Sequence, residues 1–426
     1  MKGLTNYLHN EPLFLKYFLP CLIIFPLLAD IVTGLFDVLI GVPLPISSLV
    51  RAVILFLGLV VLFSSKSNLA KYILLLCFLY FLLSIYWMLF LDNPWAAQNL
   101  NNFIRIFFPL LCFLLFIEFI NKSDNELLLR ALSLYGLIAA GSIVLFFLLG
   151  VGRESYGDYA FGAKGVFVSG NDIGIAIILS SLIAWYRISY QLRLIDVLSV
   201  FVSFIGLIFI ASRTGILVGG FIVVGGVLSF LIFNKSKGFV QRFYKVAILV
   251  LVLVIVIVIS FLVMENIDKV GFHLARLIEL FEGVSPREHL KNSVDEVLAS
   301  FSIKDQLFGV GQSFYLLIAE EHLTKWTLLP GKPFYKNAEL DFIDLYGQTG
   351  IVFSALYMLW IAVAFLALLR ALFVKQDRFT LVALFAFCFL FTHALIAGHI
   401  LFGTQVPVLA AAIICLGVSY NHKKGC

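Results

Sequence analysis

The sequence predicts an all-α polytopic membrane protein of about twelve transmembrane helices with one large helical loop on the outer face. Hydrophobic residues make up 62% of the 426 residues and charged residues only 13%, a balance that would leave large apolar patches on a soluble domain. Apolar runs of about 20 residues, long enough to cross a bilayer, recur along the whole chain. The strict alternation of apolar and polar residues that is typical of a transmembrane β-barrel is missing.

The predicted spans divide the chain into three segments. Residues 1–264 carry the first nine spans, residues 265–345 form a polar loop that no bilayer would hold, and residues 346–426 carry the rest. The tenth span has two possible starts, at 346 or as early as Leu340, because its first turn is polar. The predicted spans cover residues 15–35, 46–64, 70–91, 101–120, 128–150, 170–187, 193–211, 214–233, 244–264, 346–373, 379–398 and 401–420.

The positions of Lys and Arg predict the orientation of the chain. The short loops near 36–45, 92–100 and 398–405 hold no Lys or Arg, whereas the alternate connections do. Because basic residues are retained on the cytoplasmic side, we expect both termini in the cytoplasm and the 265–345 loop outside. The basic residues of the predicted cytoplasmic segments are Lys2, Lys16, Lys66, Lys71, Lys122, Arg187, Arg193, Lys235, Lys237, Arg242, Lys245, Lys375, Arg378, Lys423 and Lys424.

Charge and cysteine usage argue against several other functions. The formal net charge of +5 resides largely in these short connections, where it orients the chain, so the sequence does not predict a nucleic-acid partner. The six cysteines have no metal-ligand spacing, and all but the terminal Cys426 lie within apolar runs, where they are typical of small core residues. We therefore predict neither a metal nor a cofactor.

Four arginines on the predicted outer face are candidates for binding an anion. Arg213 lies in the tight SRTG junction between the seventh and eighth spans, and Arg287 opens a helix in SPREHL. A guanidinium offers a fork of donors that matches phosphate oxygens, and several cations together would bind a diphosphate. The alternative for each is an ordinary snorkelling or solvated cation. The further candidates are Arg276 and Arg153, together with Lys164 in the same predicted outer loop as Arg153.

Three carboxylates, Glu339, Asp341 and Asp344, cluster where the tenth span begins. A carboxylate at the start of a helix interacts favourably with the helix dipole, and one of the three is expected to do only that. A carboxylate facing a cavity at the membrane edge is a suitable general base for a sugar hydroxyl. We expect Glu339 or Asp341, rather than Asp344, to take this role. His393 is a further candidate, because a polar ring inside a span requires a partner.

The order of these motifs resembles the O-antigen polymerase and ligase superfamily of bacterial envelope glycosyltransferases. The matching stretches are KGVFVSGNDIG, IASRTGILVGG, SPREHL with LFGVGQSF, and ELDFIDLYGQTGIV. The resemblance implies a GT-C membrane fold and an undecaprenyl-diphosphate-linked oligosaccharide as donor, without a metal or nucleotide sugar. It assigns Arg213 and Arg287 to the donor diphosphate, and it adds Asn171 of the first stretch to the candidates.

Within this superfamily the last motif favours a polymerase. The resemblance to ligases would require a His-Asn pair about eleven residues before Gly350, and this chain has Glu339 and Leu340 there. A polymerase implies lipid-linked repeats as both donor and acceptor, the bilayer and a chain-length regulator as partners, and a periplasmic site in the bacterial inner membrane. A ligase that transfers glycan to lipid A core is the nearest alternative. A transporter or lipid-glycan flippase is the second, although its polar groups would gather at mid-bilayer.

Overall fold

In the computed structural model the described residues form helices and one short two-stranded ribbon. The described residues are 13–42, 44–91, 96–155, 162–191, 193–233, 286–312, 315, 340–398, 400–403 and 405–419. The helices are α1 (Leu13–Ile40), α2 (Ile46–Ser64), α3 (Asn68–Phe90), α4 (Ala96–Phe119), α5 (Asn125–Leu148), α6 (Gly170–Tyr190), α7 (Leu194–Ile210), α8 (Arg213–Phe233), α9 (Pro286–Ala299), α10 (Ile303–Phe308), α11 (Asp341–Lys375), α12 (Arg378–Ile396) and α13 (Val406–Ser419). A 3₁₀ turn, Ile120–Lys122, follows α4, and two short strands, β1 (Arg153–Glu154) and β2 (Ala163–Gly165), lie between α5 and α6.

The predicted fold class is confirmed: the chain is an all-α polytopic membrane protein. Among the described residues, eight helices (α1 to α6, α11 and α12) are long and apolar enough to cross a membrane, and α7, α13 and a stretch of α8 are shorter apolar helices. Each lies where the sequence predicts a span, and α11 begins at Asp341, the earlier of the two predicted starts. The predicted ninth span, 244–264, lies outside the described residues, so the total of about twelve stays a prediction.

The chain folds into two compact units, each discontinuous in sequence. Unit 1 comprises residues 1–22, 49–128 and 283–426, and unit 2 comprises residues 23–48 and 129–282. The three segments predicted from the sequence follow chain order instead, and they stay a prediction. Their boundary at 264/265 falls outside the described residues, and their boundary at 345/346 falls within α11.

Unit 1 is built around α13. This short helix is buried from Val406 to Gly417 and packs against α4, α11 and α12. Small residues permit the close approach: a Cβ at Gly417 would lie 2.5 Å from the Cβ of Ala383 on α12. Large aromatic side chains fill the space between α3, α4 and α11, where Tyr80, Phe107 and Phe353 pack edge to face. The start of α11 is thereby fixed on a rigid framework.

Unit 2 packs α5, α6 and α7 through small and polar residues. A Cβ at Gly206 of α7 would lie 2.5 Å from the Cβ of Ala140 on α5, and one at Gly136 would lie 2.7 Å from the hydroxyl oxygens of Ser180 and Ser203. The backbone N–H of Gly136 donates to the Oγ of Ser180 at 2.7 Å. Such small-residue contacts with interhelical hydrogen bonds are typical of packing inside membranes, where apolar burial alone does not drive helices together.

Candidate active site

The candidate site of unit 1 begins at the acidic first turn of α11. Leu340 is the N-cap residue, and Asp341 and Asp344 follow in the first turn, each only 1% exposed. The Oδ2 of Asp341 accepts hydrogen bonds from the backbone N–H of Ile400 at 2.7 Å and of Leu401 at 2.9 Å. Asp341 therefore fastens the α12–α13 connection to the start of α11.

Asp344 fastens a residue of the predicted outer loop to the same turn. Its Oδ1 accepts from the hydroxyl of Tyr315 at 3.0 Å, and its Oδ2 accepts from the backbone N–H of Leu340 at 3.3 Å. Burial, and then the neighbouring carboxylate of Asp344, raise the pKa of Tyr315 well above its usual value. The phenol consequently stays protonated and keeps its role as donor.

Helix α9, which carries Arg287 as its second residue, packs beside this turn. Val294 of α9 and the N-cap Leu340 form a buried cluster, against which Leu298 and Ile343 pack. The structure describes Arg287 by its backbone alone. Position 287 precedes Val294 by two helical turns, so the start of α9 lies within about 11 Å, along its axis, of the contact with α11.

The glycines of LFGVGQSF and of GQTGIV meet. Gly309 and Gly350 both have positive φ, 69° and 72°, and Gly350 interrupts α11 with non-helical backbone angles. A Cβ at Gly350 would lie 2.4 Å from the backbone N of Gly309 and 2.4 Å from the carbonyl O of Leu307. Only glycine allows both this conformation and this approach. Gly309 therefore allows a close backbone approach to the kink in α11.

Three side chains that were not predicted as site residues hold the contact between Gly309 and Gly350 in place. The indole Nε1 of Trp87 donates to the carbonyl oxygens of Phe308 and Gly309, both at 3.1 Å. The Nδ2 of Asn102 donates to the Oε1 of the fully buried Gln348 at 2.8 Å. The sequence does carry a signal for Asn102 and Gln348, because a polar side chain within a span needs a partner from another helix.

His393 lies near the end of α12 and is 7% exposed. Its Nδ1 is 3.1 Å from the carbonyl O of Gly398, and its own carbonyl accepts from the backbone N–H of Ala397 at 2.7 Å. The partner expected for this ring is thus a backbone carbonyl at the start of the α12–α13 connection. His393 and Asp341 hold neighbouring parts of that connection, which is consistent with a positioning role for both.

Two cations of unit 2 lie on the β1–β2 ribbon. The antiparallel pair places Arg153 opposite Gly165. Arg153 forms an ion pair with Asp37 of α1, which neutralises much of its charge. Burial, and then repulsion from Arg153, lower the pKa of Lys164. An anion bound here would offset the repulsion from Arg153, and Lys164 is the better placed of the two cations to bind one, because Arg153 is paired with Asp37.

The junction that carries Arg213 lies next to the start of α6. Arg213 is the first residue of α8 and is described by its backbone alone. The Oγ of Ser212 accepts from the N–H of Gly215 at 3.1 Å, and a Cβ at Gly174 of α6 would lie 3.7 Å from that Oγ. Asn171, half-buried, lies in the first turn of α6. Unit 2 thus gathers the backbone of Arg213 and the start of α6 in one region.

The sequence-predicted residues fall into three groups. Asp341, Asp344, His393 and the backbone of Arg287 belong to the surroundings of α11 in unit 1. Arg153, Asn171 and the backbone of Arg213 belong to unit 2. Arg276 and Glu339 lie outside the described residues. Within the part of the chain that the structure describes, no group of three or more His, Cys, Asp or Glu side chains is arranged to hold a metal ion.

A comparison with protein-family models identifies the family of this chain. Residues 13–309 match the family described as O-antigen ligase like membrane protein, a stretch of more than two thirds of the chain that runs from the start of α1 to Gly309. A comparison with curated proteins returns no match. The matched stretch includes Arg153, Asn171, Arg213 and Arg287 and ends before the acidic turn of α11. The chain therefore belongs to the O-antigen ligase-like family of bacterial membrane proteins, glycosyl-transferring enzymes of surface-polysaccharide assembly.

Proposed function

We propose that this protein is an O-antigen polymerase. It joins undecaprenyl-diphosphate-linked oligosaccharide repeats into longer chains at the periplasmic face of the inner membrane, by inverting glycosyl transfer without a metal. The observation that carries the proposal is the packing of α9 against the start of α11 through Val294 and Leu340. This contact supports a site in which a cation from α9 and a carboxylate from the α11 turn act on one substrate.

The proposed reaction is a direct displacement at the anomeric carbon of the donor. The acceptor hydroxyl attacks this carbon, the bond from the carbon to the diphosphate oxygen breaks, and the diphosphate leaves with the electron pair. The acceptor's proton passes to a carboxylate acting as general base. The guanidinium of Arg287 stabilises the charge that develops on the leaving diphosphate, and the family resemblance implies the same role for Arg213. One displacement inverts the anomeric centre, so no carboxylate nucleophile is needed.

The contacts of the two described acids support Glu339 as the base. Asp341 is buried and accepts hydrogen bonds from two backbone N–H groups, and Asp344 is buried against Tyr315. Both contacts stabilise the packing of the site rather than expose a carboxylate to a sugar hydroxyl. Glu339 directly precedes the N-cap residue Leu340 in the sequence. We assign proton transfer to Glu339 and positioning to Asp341.

An O-antigen ligase is the second candidate, because the matched family is described by ligase likeness. A ligase would transfer a finished glycan from the same donor to lipid A core. The proposal of a polymerase rests on the acidic sequence ELDFIDL at the start of α11, where the resemblance to ligases would require a His-Asn pair. The two activities predict different products when the protein is lost, so they are separable by experiment.

A deletion strain, examined by gel electrophoresis of its lipopolysaccharide, tests the proposal. Loss of a polymerase leaves single repeats on the lipid A core, and plasmid-borne wild-type protein restores the ladder of long chains. If the deletion instead leaves the core bare while full-length polymer accumulates on the carrier lipid, the protein is a ligase and the proposal is wrong.

Variants in the complemented strain test the site. We expect Arg287→Ala, Arg213→Ala and Glu339→Gln each to remove long chains while membrane levels stay normal. Lys304→Ala removes an exposed cation of the neighbouring helix α10 and serves as the matched control. Full activity of Arg287→Lys would contradict bidentate binding of the diphosphate, because a point charge does not reproduce the guanidinium fork.

A further inference from the structure

Unit 1 contains a groove at the end of α11 remote from the acidic turn. It has a volume of about 600 Å³ and lies between α3, α4, α11 and α13. The wall supplied by α11 runs from Leu359 to Ala367. Leu359 follows Asp341 by eighteen residues, so at 1.5 Å per residue the groove begins about 27 Å from the acidic turn. It is a different site from the one proposed for glycosyl transfer.

The body of the groove is apolar and open to the surroundings of the helices. Leu359 and Val363 on its wall are 51% and 64% exposed, although they belong to a helix long and apolar enough to span a membrane. The rings of Phe113 and Trp360 form an aromatic floor, with centroids 4.8 Å apart. Its volume lies within the range of about 300–1,000 Å³ that is usual for ligand pockets. An apolar groove on the lipid-facing side of a spanning helix accepts an acyl chain rather than water.

One end of the groove is polar and bordered by lysines. Asn68, Asn121 and Ser419 line that end, at the termini of their helices or just beyond. Lys71 follows Asn68 by one turn of α3, Lys122 adjoins Asn121, and the Nζ of Lys375 donates to the carbonyl O of Val418, a lining residue. Among the described residues no carboxylate lines the groove, and the nearest acid in sequence to Lys375 is Asp377. Lysines therefore border this end of the groove, together with the carboxylates of Glu118, Asp124 and Asp377.

We propose that this groove binds an anionic phospholipid of the membrane leaflet on the lysine side. The acyl chain lies against the floor at Trp360, and the lipid phosphate is bound by Lys71, Lys122 and Lys375. Basic pockets between spanning helices bind anionic head groups in this way, and lysine side chains reach to the headgroup level while their stems stay apolar. A neutral phospholipid offers the same acyl chain without the net negative charge, so it binds more weakly. The charge bias of the loops predicts that this is the cytoplasmic leaflet.

Quenching of tryptophan fluorescence by brominated lipid measures occupancy of the groove. The full-length protein is reconstituted into phosphatidylcholine vesicles that contain a minor share of phosphatidylglycerol brominated on its acyl chains. A parallel sample contains the same share of brominated phosphatidylcholine. Because Trp360 forms the floor, we expect stronger quenching by the brominated phosphatidylglycerol, and we expect Trp360→Phe to abolish the difference. Equal quenching by the two lipids in the wild type would overturn the proposal.

Two further variants separate head-group binding from binding of the acyl chain. Each lysine near the headgroup contributes about fivefold to binding of an anionic lipid, so Lys71→Gln, Lys122→Gln and Lys375→Gln combined should reduce the preference roughly a hundredfold. Arg193→Gln, which removes a cation from unit 2 on the same predicted membrane face, should leave it intact. Ala364→Phe fills the groove but keeps the lysines, and it should reduce quenching by both lipids. A preference that persists in the triple lysine variant would contradict the proposed site.

Discussion

Two pairs of carboxylates, one pair in each unit, are stabilised in different ways. In unit 2 the pair faces arginines: the Nε of Arg187 lies 2.8 Å from the Oδ1 of the buried Asp196, and Arg153 pairs with the half-buried Asp37. In unit 1 the carboxylates accept from uncharged donors: Asp341 from backbone N–H groups, and Asp344 from the hydroxyl of Tyr315. The same residue type is therefore placed in two electrostatic settings within one chain.

This difference separates structural charges from charges that are available for chemistry. An arginine beside a carboxylate cancels most of its field, so the pair in unit 2 holds α6 and α7 together and offers little charge to a ligand. Neutral donors stabilise a carboxylate but leave its negative charge in place. The start of α11 consequently keeps a negative field beside the helix that carries Arg287. We infer that the start of α11 supplies the acid–base groups of the proposed site.

The largest effect should come from breaking the ion pair of unit 2. Arg187→Met leaves the carboxylate of Asp196 buried, with the hydroxyl of Ser133 as a donor at 2.7 Å. Removing one partner of a buried pair typically destabilises a protein by about 3–5 kcal/mol, and we expect a loss of that size in the free energy of unfolding. Reversible unfolding in mixed detergent micelles measures it.

Two variants identify the cause of that loss. In Arg187→Met/Asp196→Leu no charge is left buried, so most of the stability should return. Arg193→Met removes a half-buried arginine whose bond to Gln191 is exposed, and it should change the unfolding free energy by less than about 0.5 kcal/mol. A double variant as unstable as Arg187→Met would show that the charges do not explain the effect.

The second largest effect should come from the glycine contact of unit 1. Gly350→Ala places a Cβ at 2.4 Å from the backbone of Leu307 and Gly309 and forces a side chain into a conformation that only glycine adopts readily. Strain and overpacking together should lower the unfolding free energy by roughly 3 kcal/mol and abolish long-chain polymer. Gly225→Ala is the control, since a Cβ there meets no atom within 4 Å. Comparable losses in the two variants would exclude the contact with Gly309 as the reason.

The fold was predictable from the sequence because span formation is a local property. A run of about 20 apolar residues must form its own backbone hydrogen bonds in a bilayer, so composition alone locates the helices. The start of α11 was also predictable from local sequence, because acidic residues favour the first turn of a helix. The helix begins at Asp341.

The contacts that build the candidate site were not predictable from one sequence. Asp341 bonds to the backbone N–H groups of Ile400 and Leu401, which nearly every residue type offers, so the sequence at 400–401 carries no signal of the contact. Gly309 and Gly350 are 41 residues apart, and neither one indicates that its partner is the other. Tyr315 is indistinguishable from an ordinary aromatic residue until the fold places it at Asp344.

A smaller effect should distinguish the two acids at the start of α11. Asp341→Asn replaces a charged acceptor of two backbone hydrogen bonds with a neutral one, and it should lower the unfolding free energy by about 2 kcal/mol. Glu339→Gln should leave the unfolding free energy unchanged while long chains disappear from the lipopolysaccharide. Asp295→Asn, at an exposed position of α9, is the control for loss of a negative charge. Normal polymer from Glu339→Gln together with a stable but inactive Asp341→Asn would transfer the base role to Asp341.

The smallest effect should come from the phenol that binds Asp344. Tyr315→Phe keeps the buried ring and removes one hydrogen bond to a carboxylate, so the unfolding free energy should fall by about 1.5 kcal/mol. The pKa of Tyr315 is raised in the folded protein, so its stabilising contribution is complete below the unfolded value of about 10 and is lost as the pH rises above it. The difference between wild type and Tyr315→Phe, measured by unfolding at a series of pH values, should therefore be constant up to about pH 9 and shrink above about pH 10. A difference that already shrinks near neutral pH would contradict the raised pKa of Tyr315 and its role as a permanent donor to Asp344.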